Sequence, residues 1–101
     1  MHDFSGKVAI VTGSGRRGGL GAPIAPRLAS HGARVIVHDR GEGGGAHAGQ
    51  LGGNAEMQSV VADIAQAGGV AAPCAADLLR EEDCENLVAY AVETFGRLDF
   101  L

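Results

Sequence analysis

Residues 13–21, Gly-Ser-Gly-Arg-Arg-Gly-Gly-Leu-Gly, place five glycines directly after an apolar run. Glycines there leave out the side chains that would keep an anion from backbone N–H groups. A helix starting behind them turns its free N–H groups and positive dipole end toward the same point. The chemistry on offer is phosphate binding. A glycine turn alone is weak evidence. Its setting strengthens it: a strand precedes, a helix follows, and an acid, Asp39, ends the next strand. A carboxylate in that place accepts hydrogen bonds from both hydroxyls of an adenosine ribose and repels a 2′-phosphate, which favours NAD. Arg40 beside it, and Arg16 and Arg17 in the turn, pull toward NADP.

The remaining reactive side chains form no catalytic or metal-binding pattern. Cys74 and Cys84 flank Asp77 with no histidine near them in sequence, and are expected to be packing residues. His2, His31, His38 and His47 lack metal-ligand spacing, and His38 reads as a strand residue. Tyr90, the only tyrosine, lies beside an apolar helix stripe and is expected to pack there.

The elements that must position the turn and the acid are legible from the spacing of apolar residues. Residues 7–12 and 33–38 read as strands buried on both faces. Between them Ile24, Leu28 and the neighbouring alanines suggest a short helical face, closed by Gly32. Residues 40–53 are a loop with seven glycines. Asn54 is placed to cap a helix carrying Met57, Val60, Val61 and Ile64, which Gly68-Gly69 ends. Residues 70–76 form a weaker strand, and Pro73 points to a sheet edge. The clearest helix runs from about residue 80 to 95. Its stripe is Cys84, Leu87, Val88, Ala91, Val92 and Phe95, with Glu81, Glu82 and Asp83 in the first turn, where the dipole favours acids. Leu98–Leu101 begin a fourth strand. Strands alternating with helices predict parallel pairing and right-handed crossovers. The expected fold is α/β, a partial Rossmann fold of three to four parallel strands with flanking helices, in one domain over residues 1–101.

Composition sets outer bounds. The net charge is −4 and the basic residues are scattered, without the basic, aromatic-studded surface of a nucleic-acid binder. No apolar stretch approaches bilayer length. The N-terminus lacks the pattern of a signal peptide, and two cysteines fit a reducing, cytoplasmic setting.

Thr12-Gly13, Gly19-Leu20-Gly21, Gly32-Ala33-Arg34-Val35, Asp39-Arg40, Asp77-Leu78 and Phe95-Gly96-Arg97-Leu98-Asp99, in that order, resemble the N-terminal part of a short-chain dehydrogenase/reductase. The resemblance covers nearly the whole chain. It implies that Gly13, Gly19, Leu20 and Gly21 line the cofactor pyrophosphate and its ribose. It also implies that Asp39, with Arg40 beside it, lies at the adenosine ribose, and that Asp77 and Leu78 hold the adenine edge. The glycine-rich loop after Asp39 is similar to that of a subset including the dehydrogenase parts of peroxisomal multifunctional enzymes, which act on hydroxyacyl-CoA. Two features depart from the family pattern. The spacing from Gly13 to Gly19 is two residues longer than in Thr-Gly-x-x-x-Gly-x-Gly. Pro26 would cost about 3 kcal/mol inside a helix, so either the helix starts near Ala22 or Pro23, leaving Pro26 nearly in the first turn, or it is kinked there.

The family moves hydride between a nicotinamide and an oxygen-bearing carbon, using a tyrosine acid/base with a lysine four residues on, and a serine. Here four residues past Tyr90 stands Thr94, and the only lysine is Lys7. No catalytic residue is therefore assigned. The chain is expected to be the NAD-binding part of an alcohol- or carbonyl-acting oxidoreductase, inactive and poorly soluble by itself, whose complete parent is a homo-oligomer. NADP is the second cofactor candidate. The competing expectation is a small nucleotide-binding protein without catalysis. A methyltransferase of related fold is disfavoured by Thr12-Gly13 and Asp77-Leu78.

Overall fold

Val8–Val11 form β1, and all four residues are buried, as befits a strand covered on both faces. The computed structural model describes residues 4–15, 21–40 and 55–99. Over these the chain continues as α1 (Ile24–Ser30), β2 (Arg34–Asp39), α2 (Ala55–Gln66), β3 (Val70–Ala75) and α3 (Glu81–Phe95). Each element lies within two residues of the bounds that periodicity predicts. The strands form a parallel, three-stranded sheet in the order β1-β2-β3, with Ile10 opposite Ile36 and Ile36 opposite Ala72. β3 is an edge strand, and Pro73 sits in it opposite Val37.

At the other edge the chain returns to β1. The Asp99 N–H donates to the Val8 carbonyl at 2.9 Å, and Asp99 Oδ2 accepts the Val8 N–H at 2.9 Å. The path therefore steps outward from β1 to β3, then reverses and comes back beside β1. Such a reversal marks where an open α/β sheet binds ligands, at the carboxyl ends of its strands. Leu98 and Asp99 carry no strand assignment, and the rest of the expected fourth strand lies outside the described residues. The expected cap Asn54 and the glycine-rich loop lie outside them too.

Side chains alternate across the sheet, as the pleat requires. Val11, Val35 and Val37 face α1 and α2, packing with Ala25, Ala29, Val60 and Ile64. Ile10 and Ile36 face α3, packing with Cys74, Leu87 and Ala91. Pro26 is accommodated because α1 begins late. With Pro23 at the N-cap and Ile24 first, Pro26 falls in the first turn, where its missing N–H would have had no intrahelical partner. Gly32 stands just past the helix, with φ +100°.

Four details differ from the periodicity reading. Ile24 is 50% exposed, so the inner face of α1 is Ala25 and Ala29. Val88 and Val92 are 40% and 44% exposed, so only Leu87 and Ala91 of the α3 stripe are buried. Asp83, in the first turn of that helix, is buried instead. Cys84 is partly exposed, whereas Cys74 is fully buried.

Candidate functional site

Because the strands are parallel, the segments following β1, β2 and β3 emerge along one edge of the sheet. Thr12–Gly15, Asp39–Arg40 and Ala76–Leu78 meet there. His38 ties them together. Its ring is buried, with Nδ1 3.3 Å from the Gly13 N–H and Nε2 2.9 Å from the Ala76 carbonyl. With the Gly13 N–H donating to Nδ1, Nε2 is the ring nitrogen left to donate to the Ala76 carbonyl. The His38 carbonyl accepts the N–H groups of Ser14 (2.9 Å) and Gly15 (3.0 Å). The fully buried Ser14 hydroxyl completes the knot. It donates to the Val11 carbonyl at 2.6 Å and accepts the His38 N–H at 3.2 Å.

This network has a consequence for the turn. The N–H groups of residues 13, 14 and 15 are all engaged by His38. They shape the turn and are not free to bind an anion. Gly19 and Leu20, and the arginines Arg16 and Arg17, lie outside the described residues.

The two glycines expected at the pyrophosphate that can be described serve different needs. Gly13 has φ +70°, a left-handed conformation, and a Cβ there would meet nothing within 4 Å. Among the described residues nothing fills the space beside it. Gly21 is buried, and a Cβ on it would lie 2.5 Å from the Thr12 carbonyl and 3.0 Å from the Ser14 nitrogen. Its missing side chain lets the start of α1 press against the turn, the close helix–strand approach this architecture needs.

Asp39 closes the second side. A Cβ on Gly15 would lie 2.9 Å from the Asp39 Cβ, so the acid stands directly against the turn. Asp39 is 6% exposed, and Oδ1 accepts the Arg40 N–H at 2.8 Å. Arg40 is exposed, and its Nη2 lies 3.8 Å from Asp77 Oδ2. Asp77 is well anchored at the end of β3. Its Oδ1 accepts the Leu79 N–H at 3.0 Å, a local turn closure. Its own N–H donates to Asp83 Oδ2 at 2.8 Å. Leu78 beside it is 44% exposed.

The structure thus gathers Gly13, Gly21, Asp39, Arg40, Asp77 and Leu78 at the ends of the three strands. Sequence reasoning missed the groups that hold them. Ser14 follows the first glycine directly. Asp83 stands three residues past the helix N-cap Arg80, where an acid typically reaches back to a free N–H. That spacing was an available signal. The role of His38 was not, because its partners are far along the chain.

Other side chains stay apart from this edge. The Tyr90 phenol is pushed above its ordinary value, mainly by burial, and is hydrogen-bonded to Thr94. An acid/base catalyst needs the opposite shift. Burial, with the Asp83 charge, pushes the Cys74 thiol up to about 11, which leaves it inert. Among the described residues no group of three or more His, Cys, Asp or Glu side chains is placed to hold a metal, and no helix is long and apolar enough to cross a membrane.

Comparison with known proteins agrees with this fold. The sequence matches the short chain dehydrogenase family over residues 7–101. It is 40% identical over 99 residues to peroxisomal multifunctional enzyme A of Dictyostelium discoideum, covering 98% of this chain and 21% of that protein. The fold is similar to that of a short chain dehydrogenase from Mycobacterium avium, with a TM-score of 0.80 and 39% identity over 97% of this chain and 33% of the other. It is also similar to a metagenomic short-chain oxidoreductase solved in complex with NADP. That match has a TM-score of 0.76 and 34% identity, covering 97% of this chain and 38% of the other.

Proposed function

The chain belongs to the short chain dehydrogenase family, and on that footing we propose that it binds a nicotinamide dinucleotide, NAD in preference to NADP. In this reading it forms the cofactor-binding part of an oxidoreductase acting on an alcohol or carbonyl. One observation carries the proposal. The buried acid Asp39, at the end of β2, stands against the glycine turn of β1, with 2.9 Å between the Asp39 Cβ and a Cβ built on Gly15.

The residues present fit such a group. Among the described residues no side chain lies within 4 Å of the place a Gly13 Cβ would take. In this reading Gly13, Gly19, Leu20 and Gly21 line the pyrophosphate and its ribose. Asp39 reads the adenosine ribose through its carboxylate, and Asp77 and Leu78 flank the adenine. When bound, the nicotinamide supplies the hydride acceptor or donor. Every contribution argued from these residues is binding and orientation, and no proton transfer is assigned to Tyr90.

The test is calorimetric titration of the full chain and its Asp39→Ala variant with NAD. A charged hydrogen bond lost without replacement costs about 1.5–3 kcal/mol, so the expected weakening is about ten- to a hundredfold. Unchanged NAD affinity in a folded Asp39→Ala variant would remove the ribose assignment.

A further inference from the structure

We propose that Asp77 is a specificity-determining residue for the dinucleotide, acting through Arg40: by pairing with the guanidinium it draws it toward β3 and leaves Asp39 to set the preference for NAD. The inference rests on the nucleotide-binding reading above.

Arg40 is the ambiguous residue of the site. It directly follows the acid that disfavours a 2′-phosphate, yet its own charge would attract one. Geometry resolves the conflict. The Arg40 Nη2 lies 3.8 Å from Asp77 Oδ2, at the end of β3, while the glycine turn lies on the opposite side of β2, at the end of β1. The partners are unequally fixed. The Asp77 side chain is 14% exposed and the Arg40 side chain 48%. Asp77 is also held from two directions, by the Asp83 carboxylate at its N–H and by the Leu79 N–H at its Oδ1. The acid is the fixed post and the arginine the tethered arm. Asp83, buried beneath them, therefore contributes indirectly by anchoring the post.

The consequence is a testable coupling. Neutralising Asp77 loosens the arm, and a 2′-phosphate then competes for the guanidinium. Asp77 is also placed beside the adenine, so its loss changes affinity for both dinucleotides. The informative quantity is the ratio of NADP to NAD affinity. Asp77→Asn keeps an Oδ1 acceptor for the Leu79 N–H and so preserves the turn.

The experiment is a double-mutant cycle on the full chain with Asp77→Asn, Arg40→Gln and the double variant, each titrated with NAD and with NADP. A partly exposed ion pair at 3.8 Å supports a modest effect, so Asp77→Asn is expected to raise the NADP:NAD affinity ratio about two- to fivefold. Arg40→Gln in the Asp77→Asn background is expected to cancel that gain, and added salt to shrink it. A gain that survives Arg40→Gln comes from the Asp77 charge alone and overturns the proposal, as does no gain at all. If the wild-type chain binds NAD in an Asp39-dependent way and the cycle shows no coupling, only this inference fails. If the folded wild type binds neither nucleotide, the nucleotide-binding reading fails with it.

Discussion

The two faces of the sheet are equally buried but are covered by different sets of described elements. On one, α1 and α2 close over Val11, Val35 and Val37, and the residues of that cluster are at most 7% exposed. On the other, among the described residues, α3 and Leu98 cover Ile10 and Ile36, which are at most 2% exposed, while the outer Val88 and Val92 of α3 are 40% and 44% exposed. The first face is built from helices that each link neighbouring strands, so the residues that pack together are brought in by short crossovers. The second depends on one helix that continues past the last described strand, and on the segment that returns to β1. The strand ends that carry the candidate site belong to both faces. Their geometry is anchored by the first face through Gly21, and by the second through Asp83.

The largest expected effect tests that contrast directly. Ile64 on α2 is 2% exposed. Ile64→Ala is expected to cost about 2–5 kcal/mol. Val92→Ala on α3 is expected to change stability by less than about 0.5 kcal/mol. For a domain of this size each kcal/mol moves the melting midpoint by about 4–8 °C, so thermal melts separate the two outcomes clearly. Equal losses would mean that Val92 is covered in solution as completely as Ile64.

A smaller effect is expected at Gly21, where the first face meets the site. An added methyl would sit 2.5 Å from the Thr12 carbonyl and 3.0 Å from the Ser14 nitrogen, both backbone atoms that cannot swing aside. Gly21→Ala is therefore expected to push α1 off its seat and destabilise by about 1–3 kcal/mol, read as a lower urea midpoint. An unchanged midpoint would show that α1 is not held tightly against the turn, and would weaken the claim that this face organises the site.

What the sequence disclosed, and what it withheld, follows the same division. Apolar runs with β-branched residues located the strands, and the Leu87 and Ala91 spacing located α3, because both signals are local. The late start of α1, which makes Pro26 harmless, depends on the Gly21 carbonyl accepting the N–H groups of Ile24 and Ala25, and the sequence equally allows a kinked helix. An apolar stripe reports that a helix has a face suited to burial. It does not report what lies against that face, which is why Val88 and Val92 were expected inside. Ile24 was misplaced for a similar reason: a seven-residue helix meets the sheet through its small residues, and the alanines occupy the contact. At the site, glycine spacing and the strand-end acid were legible as types. The His38 hydrogen bonds to Gly13 and Ala76 were not, since they depend on register between strands that no local pattern encodes.

The smallest expected effect concerns the margin of the second face. Leu98 packs against the second cluster, and Asp99 holds that segment beside β1. The Arg97 guanidinium hydrogen-bonded to Asp99, together with the Val8 N–H, holds the Asp99 carboxyl below its ordinary range. A carboxylate whose folded value is depressed adds stability above its unfolded value, near pH 3.9, and that stability is lost as pH falls through the folded value. Acid should therefore release residues 97–99 from β1 before it disturbs the centre of the sheet. The measurement is amide hydrogen exchange, expressed as protection factors. The Val8 N–H is expected to keep its protection down to the ordinary carboxylate range and to lose it below, while Ile36 in the central strand stays protected. Asp99→Asn keeps an acceptor for the Val8 N–H but removes the charge that titrates, so its Val8 protection should be weaker and show no acid step. If Val8 and Ile36 lose protection together, or if the acid step persists in Asp99→Asn, the segment is not held by this carboxylate. The second face would then owe its margin to packing by Leu98 alone.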